Sequence, residues 1–86
     1  MRRTVKKVID GDTFEVKVKI QDTNFVRIAN FSAPELNQFG GQSAKRKLKR
    51  LIEGKVVTLV PKGRSYGRIV ADVRLNGKKV SNLMKQ

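Results

Sequence analysis

Apolar and polar residues alternate along much of the first thirty positions. Phe14, Val16, Val18 and Ile20 are separated by Glu15, Lys17 and Lys19. A period of two predicts a half-buried strand with a charged outer face. Ahead of it, Val5, Val8 and Ile9 mark a shorter strand over Thr4–Ile9, and Asp10-Gly11-Asp12 is a turn signal. Behind it, Gln21-Asp22-Thr23-Asn24 turns the chain into a third strand opened by Phe25, Val26, Arg27 and Ile28. Strands joined by such short turns predict a meander.

The period then changes. Pro34 cannot donate to a sheet ladder and biases Ala33 away from helix, so Ser32-Ala33-Pro34-Glu35 ends the meander. After a loop closing on Gly40-Gly41, Ala44, Leu48, Leu51 and Ile52 share one helical face. They predict a helix from about Gln42 to Glu53, with Gly54 where a glycine commonly terminates one. The β-branched run Lys55–Val60 predicts a fourth strand closed by Pro61-Lys62-Gly63, and Ile69, Ala71, Val73 and Leu75 alternate as a fifth. Asn76-Gly77 is a hairpin signal, with a brief return at Lys79 and Val80 before a last helical turn from Ser81-Asn82.

Strand, strand, strand, helix, strand, strand and a short terminal helix predict a five-stranded Greek-key OB-fold barrel. The helix between strands three and four would plug one open end with Leu48, Leu51 and Ile52. At 86 residues the chain has room for a single domain, 1–86.

Composition narrows the chemistry. Twenty Lys and Arg against seven Asp and Glu leave a formal charge of +13. Such an excess calls for a polyanion, and nucleic acid is the leading partner, ahead of an anionic membrane surface. No apolar run approaches the ~20 residues of a membrane span, and nucleic acid rather than a membrane is the expected partner. With no Cys and no His, thiolate zinc sites, imidazole triads and disulfides are excluded. Any proton chemistry falls to a carboxylate, Lys or Tyr, and any hard metal to oxygen ligands.

Three segments could carry that chemistry. Asp10-Gly11-Asp12 reads either as a plain hairpin turn or as two carboxylates converging on a cation. Arg27 sits inside an apolar strand, and Glu35 follows a Pro-fixed turn. Tyr66-Gly67-Arg68 reads as a turn with a solvated Arg or as a phosphate contact. On the helix, Lys45, Arg46, Lys47, Lys49 and Arg50 form either a solvated face or a grip on nucleic-acid backbone. Together the segments supply an acidic corner, two guanidinium groups and an isolated carboxylate, the set that phosphodiester hydrolysis uses.

In combination these motifs resemble the staphylococcal-nuclease-like (thermonuclease) domain family. The resemblance rests on Val8-Ile9-Asp10-Gly11-Asp12-Thr13, Val26-Arg27-Ile28 with Ala33-Pro34-Glu35, Gly41-Gln42-Ser43-Ala44, and Tyr66-Gly67-Arg68 with Asn76-Gly77. It implies an OB-fold nuclease that uses Ca²⁺ to hydrolyse DNA and RNA, leaving a 3′ phosphate. It further implies a calcium-binding role for Asp12 with Asp10 near the metal, and a backbone carbonyl ligand at Ala33. Arg27 and Arg68 would hold the scissile phosphate, Glu35 would be the general base or orient the water, and Tyr66 would line the nucleotide site. Lys45, Arg46 and Lys49 are added as candidate contacts to flanking backbone.

One departure stands out. Where the family usually places a second calcium-binding Asp, this chain has Ser32. A neutral hydroxyl is a weaker ligand for a hard cation, so the expected metal site is weakened, tolerant of Mn²⁺ or Mg²⁺, or inactive. The alternative function is therefore a catalytically inactive nucleic-acid-binding OB-fold domain. A monomer acting on single-stranded DNA or RNA is expected, cytoplasmic if the chain is complete and secreted if it is a mature fragment.

Overall fold

The computed structural model describes all residues from Met1 to Gln86. Its elements are β1 (Arg2–Asp10), β2 (Thr13–Ile20), β3 (Thr23–Ile28), α1 (Gly41–Ile52), β4 (Val56–Ser65), β5 (Arg68–Leu75), β6 (Lys78–Lys79) and α2 (Val80–Met84). β1 pairs antiparallel with β2 and β4, β2 with β3, and β4 with β5. A parallel β3–β5 pairing, Val26↔Ile69 to Ile28↔Ala71, closes the ring. The result is a closed five-stranded OB-like barrel, with β6 added outside it along β5.

The predicted alternation explains the interior. Val5, Phe14, Val16, Val26, Ile28, Leu59, Ile69, Ala71 and Val73 are buried inside the barrel wall. Leu48 and Ile52 of α1 join them, with Ala44 and Leu51 packed at the margin. Each fully buried aliphatic side chain contributes about 1.5–3 kcal/mol of burial free energy, which holds α1 across the barrel end. The C-terminal end of α1 is also tied by polar bonds. Val8 N–H donates to Glu53 Oε1 at 2.9 Å, and Gly54 N–H donates to the Val5 carbonyl at 3.0 Å. Gly54 adopts the left-handed φ of 79° that its place after the helix predicted. No helix is long and apolar enough to cross a membrane.

Three local expectations need correction. β4 does not close at Pro61 but continues to Ser65. β1 pairs with β4 at Val56–Thr58 and Met1 bonds Leu59, so from Val60 onward β4 pairs with β5 alone. The missing N–H of Pro61 therefore breaks no second ladder, and an irregularity between Pro61 and Gly63 absorbs the ring. Second, Val18 is not inward: it is 64% exposed, because β2–β3 pairing lapses between Glu15 and Ile20. Third, β1 starts at Arg2, where Arg2 and Arg3 pair with Thr58 and Val57.

Candidate functional site

The registers decide which side chains meet. Thr13 lies opposite Arg27 across β2–β3, and Val70 lies opposite Arg27 across β3–β5. The β1–β2 turn and the start of β5 thus flank one end of β3. Ile28 N–H donates to the Asp12 carbonyl at 2.9 Å, fixing that turn against the strand. The result is a cleft of about 310 Å³ lined by Asp10, Asp12, Arg27, Ser32, Ala33, Glu35 and Arg68. Four separate stretches of sequence supply these residues.

Gly11 makes the acidic turn possible, for a different reason than turn propensity. It is buried, and a Cβ there would come 2.5 Å from Ala33 Cβ and 2.6 Å from Ala44 Cβ. Only a residue without a side chain lets the turn lie against both the Ser32–Glu35 segment and α1. Asp12 is then enclosed by donors. Ala33 N–H donates to Oδ2 at 3.1 Å, Thr13 Oγ1–H to Oδ1 at 3.0 Å, and Arg27 Nη2 stands 3.6 Å from Oδ2. Burial pushes the Asp12 carboxyl up, but the bonds from Ala33, Asp10 and Thr13 and the charge of Arg27 outweigh it, and the net direction is down. Asp10 accepts from Asp12 N–H at 3.1 Å. Burial first, and then its contact with Asp12, pushes its carboxyl above the usual range.

Both arginines are fixed in place. Arg27 donates from Nη1 to the Ile28 carbonyl and from Nη2 to Ser32 Oγ, each at 2.9 Å. Arg68 donates from Nε to the Ser65 carbonyl and from Nη1 to Thr13 Oγ1, each at 3.1 Å. Thr13 is therefore a link that the sequence reading left without a role. Its hydroxyl is buried, accepts from Arg68 and donates to Asp12. Its place in the Asp-Gly-Asp-Thr motif was the available signal. Gln38 was also missed: its Oε1 accepts from Glu35 N–H at 2.9 Å, while its own N–H donates to the Glu35 carbonyl at 2.9 Å.

The donor chemistry fits a hard divalent cation. Asp10 and Asp12 crowd two carboxylates into one corner, and the Ala33 carbonyl in the same cleft accepts no hydrogen bond from the chain. Ser32 adds only a hydroxyl, already engaged by Arg27.

The remaining candidates lie outside the cleft lining. Tyr66 is 96% exposed on the β4–β5 turn, two residues before Arg68. Lys45, Arg46 and Lys49 sit on α1, where Lys49 meets Glu53 at 3.7 Å and Arg46 reaches Ser43.

Comparison with known proteins adds an independent line. Residues 5–86 match the profile of the family described as staphylococcal nuclease homologue. The chain is 40% identical over 70 residues to an uncharacterized endonuclease of Haemophilus influenzae, covering 80% of this chain and 39% of that protein. An uncharacterized endonuclease of Escherichia coli is 39% identical over 70 residues, covering 80% of this chain and 45% of its own length. An uncharacterized protein of Bacillus anthracis is 39% identical over 90 residues, covering 93% of this chain and 42% of its own. The chain thus spans less than half the length of each of these relatives.

Proposed function

Because the chain belongs to the family of staphylococcal nuclease homologues, we propose that it is a divalent-metal-dependent nuclease acting on DNA or RNA, with a preference for single strands. One observation carries this reading: an acidic corner, two anchored arginines and Glu35 line a single cleft. The endonuclease names of the Haemophilus and Escherichia relatives agree with it.

Arg27 and Arg68 bind the non-bridging oxygens of the scissile phosphate. Their bonds to Ile28, Ser32, Ser65 and Thr13 fix them before substrate arrives, so little reorganisation is needed as negative charge builds. Glu35 accepts a proton from the attacking water as the new P–O bond forms and the bond to the 5′ oxygen breaks. That oxygen takes a proton from solvent water as it leaves, giving a 5′ hydroxyl and a 3′ phosphate. Asp12, Asp10 and the Ala33 carbonyl would hold a Ca²⁺, Mn²⁺ or Mg²⁺ ion, and the ion would supply positive charge beside the phosphate. Ser32 leaves the set one anion short, so affinity for the ion is weaker than with a third carboxylate.

A second reading, a non-cleaving nucleic-acid-binding domain, is favoured by the neutral Ser32 hydroxyl and the +13 charge. Incubating the chain with a single-stranded oligonucleotide in Ca²⁺, Mn²⁺, Mg²⁺ or EDTA separates the two. Cleavage with a divalent ion that stops in EDTA supports the nuclease. Salt-sensitive binding with no cleavage under any ion supports the second reading.

A further inference from the structure

Aromatic side chains are scarce, four Phe and one Tyr. Phe14 is in the barrel core and Phe31 packs against it. Phe39 and Tyr66, by contrast, are 100% and 96% exposed, and Phe25 is 40% exposed. Tyr66 precedes the cleft residue Arg68 by two positions, and Phe39 follows the cleft residue Glu35 by four. An isolated exposed apolar residue needs no explanation of its own. Phe39 differs because the surrounding backbone is pinned so that the ring stands away from the protein.

Gln38 N–H donates to the Glu35 carbonyl at 2.9 Å, and Glu35 N–H donates to Gln38 Oε1 at 2.9 Å. Gly41 N–H donates to the Gln38 carbonyl, and Ala44 N–H to the Gly40 carbonyl, each at 3.0 Å. Gly41 is buried so tightly that a Cβ would run into the Glu35 carbonyl. Phe39 therefore sits at a central position of the bonded Gln38–Gly41 turn, one residue beyond the bonded turn that starts at Glu35. The Glu35–Gln38 turn keeps its ends within ~7 Å, and one further residue adds ~3.8 Å, so Phe39 Cα lies within about 11 Å of Glu35 Cα. Nucleotides of one duplex strand rise by ~3.4 Å, and an extended single strand spaces them further, so this reach covers about one to three nucleotides.

We propose that Phe39 is a base-stacking subsite whose ring takes the face of an unpaired nucleobase next to the phosphate held by Arg27 and Arg68. The proposal rests on the phosphate-binding reading of the cleft. The chemistry is selective for structure and tolerant of sequence. Every base has a π face, but a base in a duplex is already stacked on its neighbours and offers Phe39 nothing. The stacking face thus gives a source for single-strand preference that the arginines, which bind phosphate in either form, do not supply.

The chain contains no Trp, so Phe39→Trp introduces a single indole reporter. In EDTA, where cleavage is blocked, it is titrated with an oligothymidylate and with an abasic strand of equal length and charge. Anisotropy of a labelled strand records binding separately. Indole emission quenched by the oligothymidylate, but not by the abasic strand, supports the subsite. Equal responses to both strands, binding without quenching, or no binding would each overturn it. A second measurement uses Phe39→Ala in the presence of divalent ion. Its KM for a single-stranded substrate rises about 5- to 100-fold with kcat little changed, and Phe39→Tyr restores it. Quenching without cleavage would leave the stacking claim intact and remove the nuclease reading. Cleavage without quenching would do the reverse.

Discussion

The carboxylates inside the cleft and those outside it live in different surroundings. Outside, Glu15 meets Lys6 at 3.7 Å, Asp22 meets Arg64 at 2.8 Å, Glu53 meets Lys49 at 3.7 Å and Asp72 meets Arg74 at 3.5 Å. Inside, Asp10 and Glu35 form no ion pair, and Asp12 stands 3.6 Å from an arginine that is itself directed to Ser32. With twenty cations on so small a chain, an unpaired carboxylate is the exception. The difference teaches that the outer acids offset local repulsion, whereas two of the three inner ones, Asp10 and Glu35, stand without a cationic partner. Arg68 shows the same contrast, though Arg27 does not, since it pairs with Asp12. Arg64 and Arg74 neutralise nearby acids, whereas Arg68 is held by a carbonyl and a hydroxyl that leave its charge uncompensated.

Among the residues that would hold the phosphate and the ion, the largest expected break in that contrast comes from the anchored arginines. Arg68→Ala should lower kcat by about 10²–10³, as loss of a preorganised donor does, while Arg74→Ala on the same strand should change it less than about twofold. Single-turnover cleavage of one oligonucleotide by both variants makes the comparison. Thr13→Val should follow, since it leaves Arg68 and Asp12 without a shared hydroxyl in a buried place. A stability loss of about 1–3 kcal/mol by urea unfolding and a slower cleavage step are expected. Ser32→Asp sharpens the contrast from the other side. An added anionic ligand should tighten divalent-ion affinity by roughly tenfold, read by calorimetry, and a variant with unchanged affinity would remove Ser32 as the weak point.

The smallest effect concerns Asp10. Its carboxyl is held above the usual range, so the folded chain keeps a proton that the unfolded chain releases. Stability therefore falls as pH rises from the ordinary aspartate value through the raised one. Asp12 behaves oppositely, its lowered carboxyl contributing stability above the ordinary value and losing it as pH falls through the folded one. In EDTA, Asp10→Asn should gain stability slightly at neutral pH, and the gain should vanish as pH falls below the ordinary aspartate value. Urea midpoints across pH 3–8 test the sign.

Much of the barrel was legible because period-two strands state their inward faces directly, as Phe14 and Val16 do. Val18 broke the rule because facing depends on pairing with β3, which lapses there, and no single strand's pattern records its neighbour's register. Pro61 misled for the same reason, since a proline ends a strand only where both flanks need its N–H. In the site, the chemistry-bearing residues were legible from motifs, but their meeting was not. Arg27 reaches Asp12, and Arg68 reaches Thr13, through two strand registers that tie together distant sequence. Gly11 read as a turn residue, whereas its role is to leave room for Ala33 and Ala44, neighbours visible only in the fold.

At the centre stands the proposed role of Glu35, one of two cleft carboxylates without an ion pair, in handling the proton of the attacking water. It is tested most directly by comparing Glu35→Gln with Glu15→Gln, in single-turnover cleavage of a single-stranded oligonucleotide at saturating divalent ion. The first replaces a free carboxylate in the cleft, and the second one paired with Lys6 outside it. Glu35→Gln should slow cleavage by about 10²–10⁴ with binding retained, while Glu15→Gln stays within about twofold of the parent chain. Equal rates for the two variants would contradict the account.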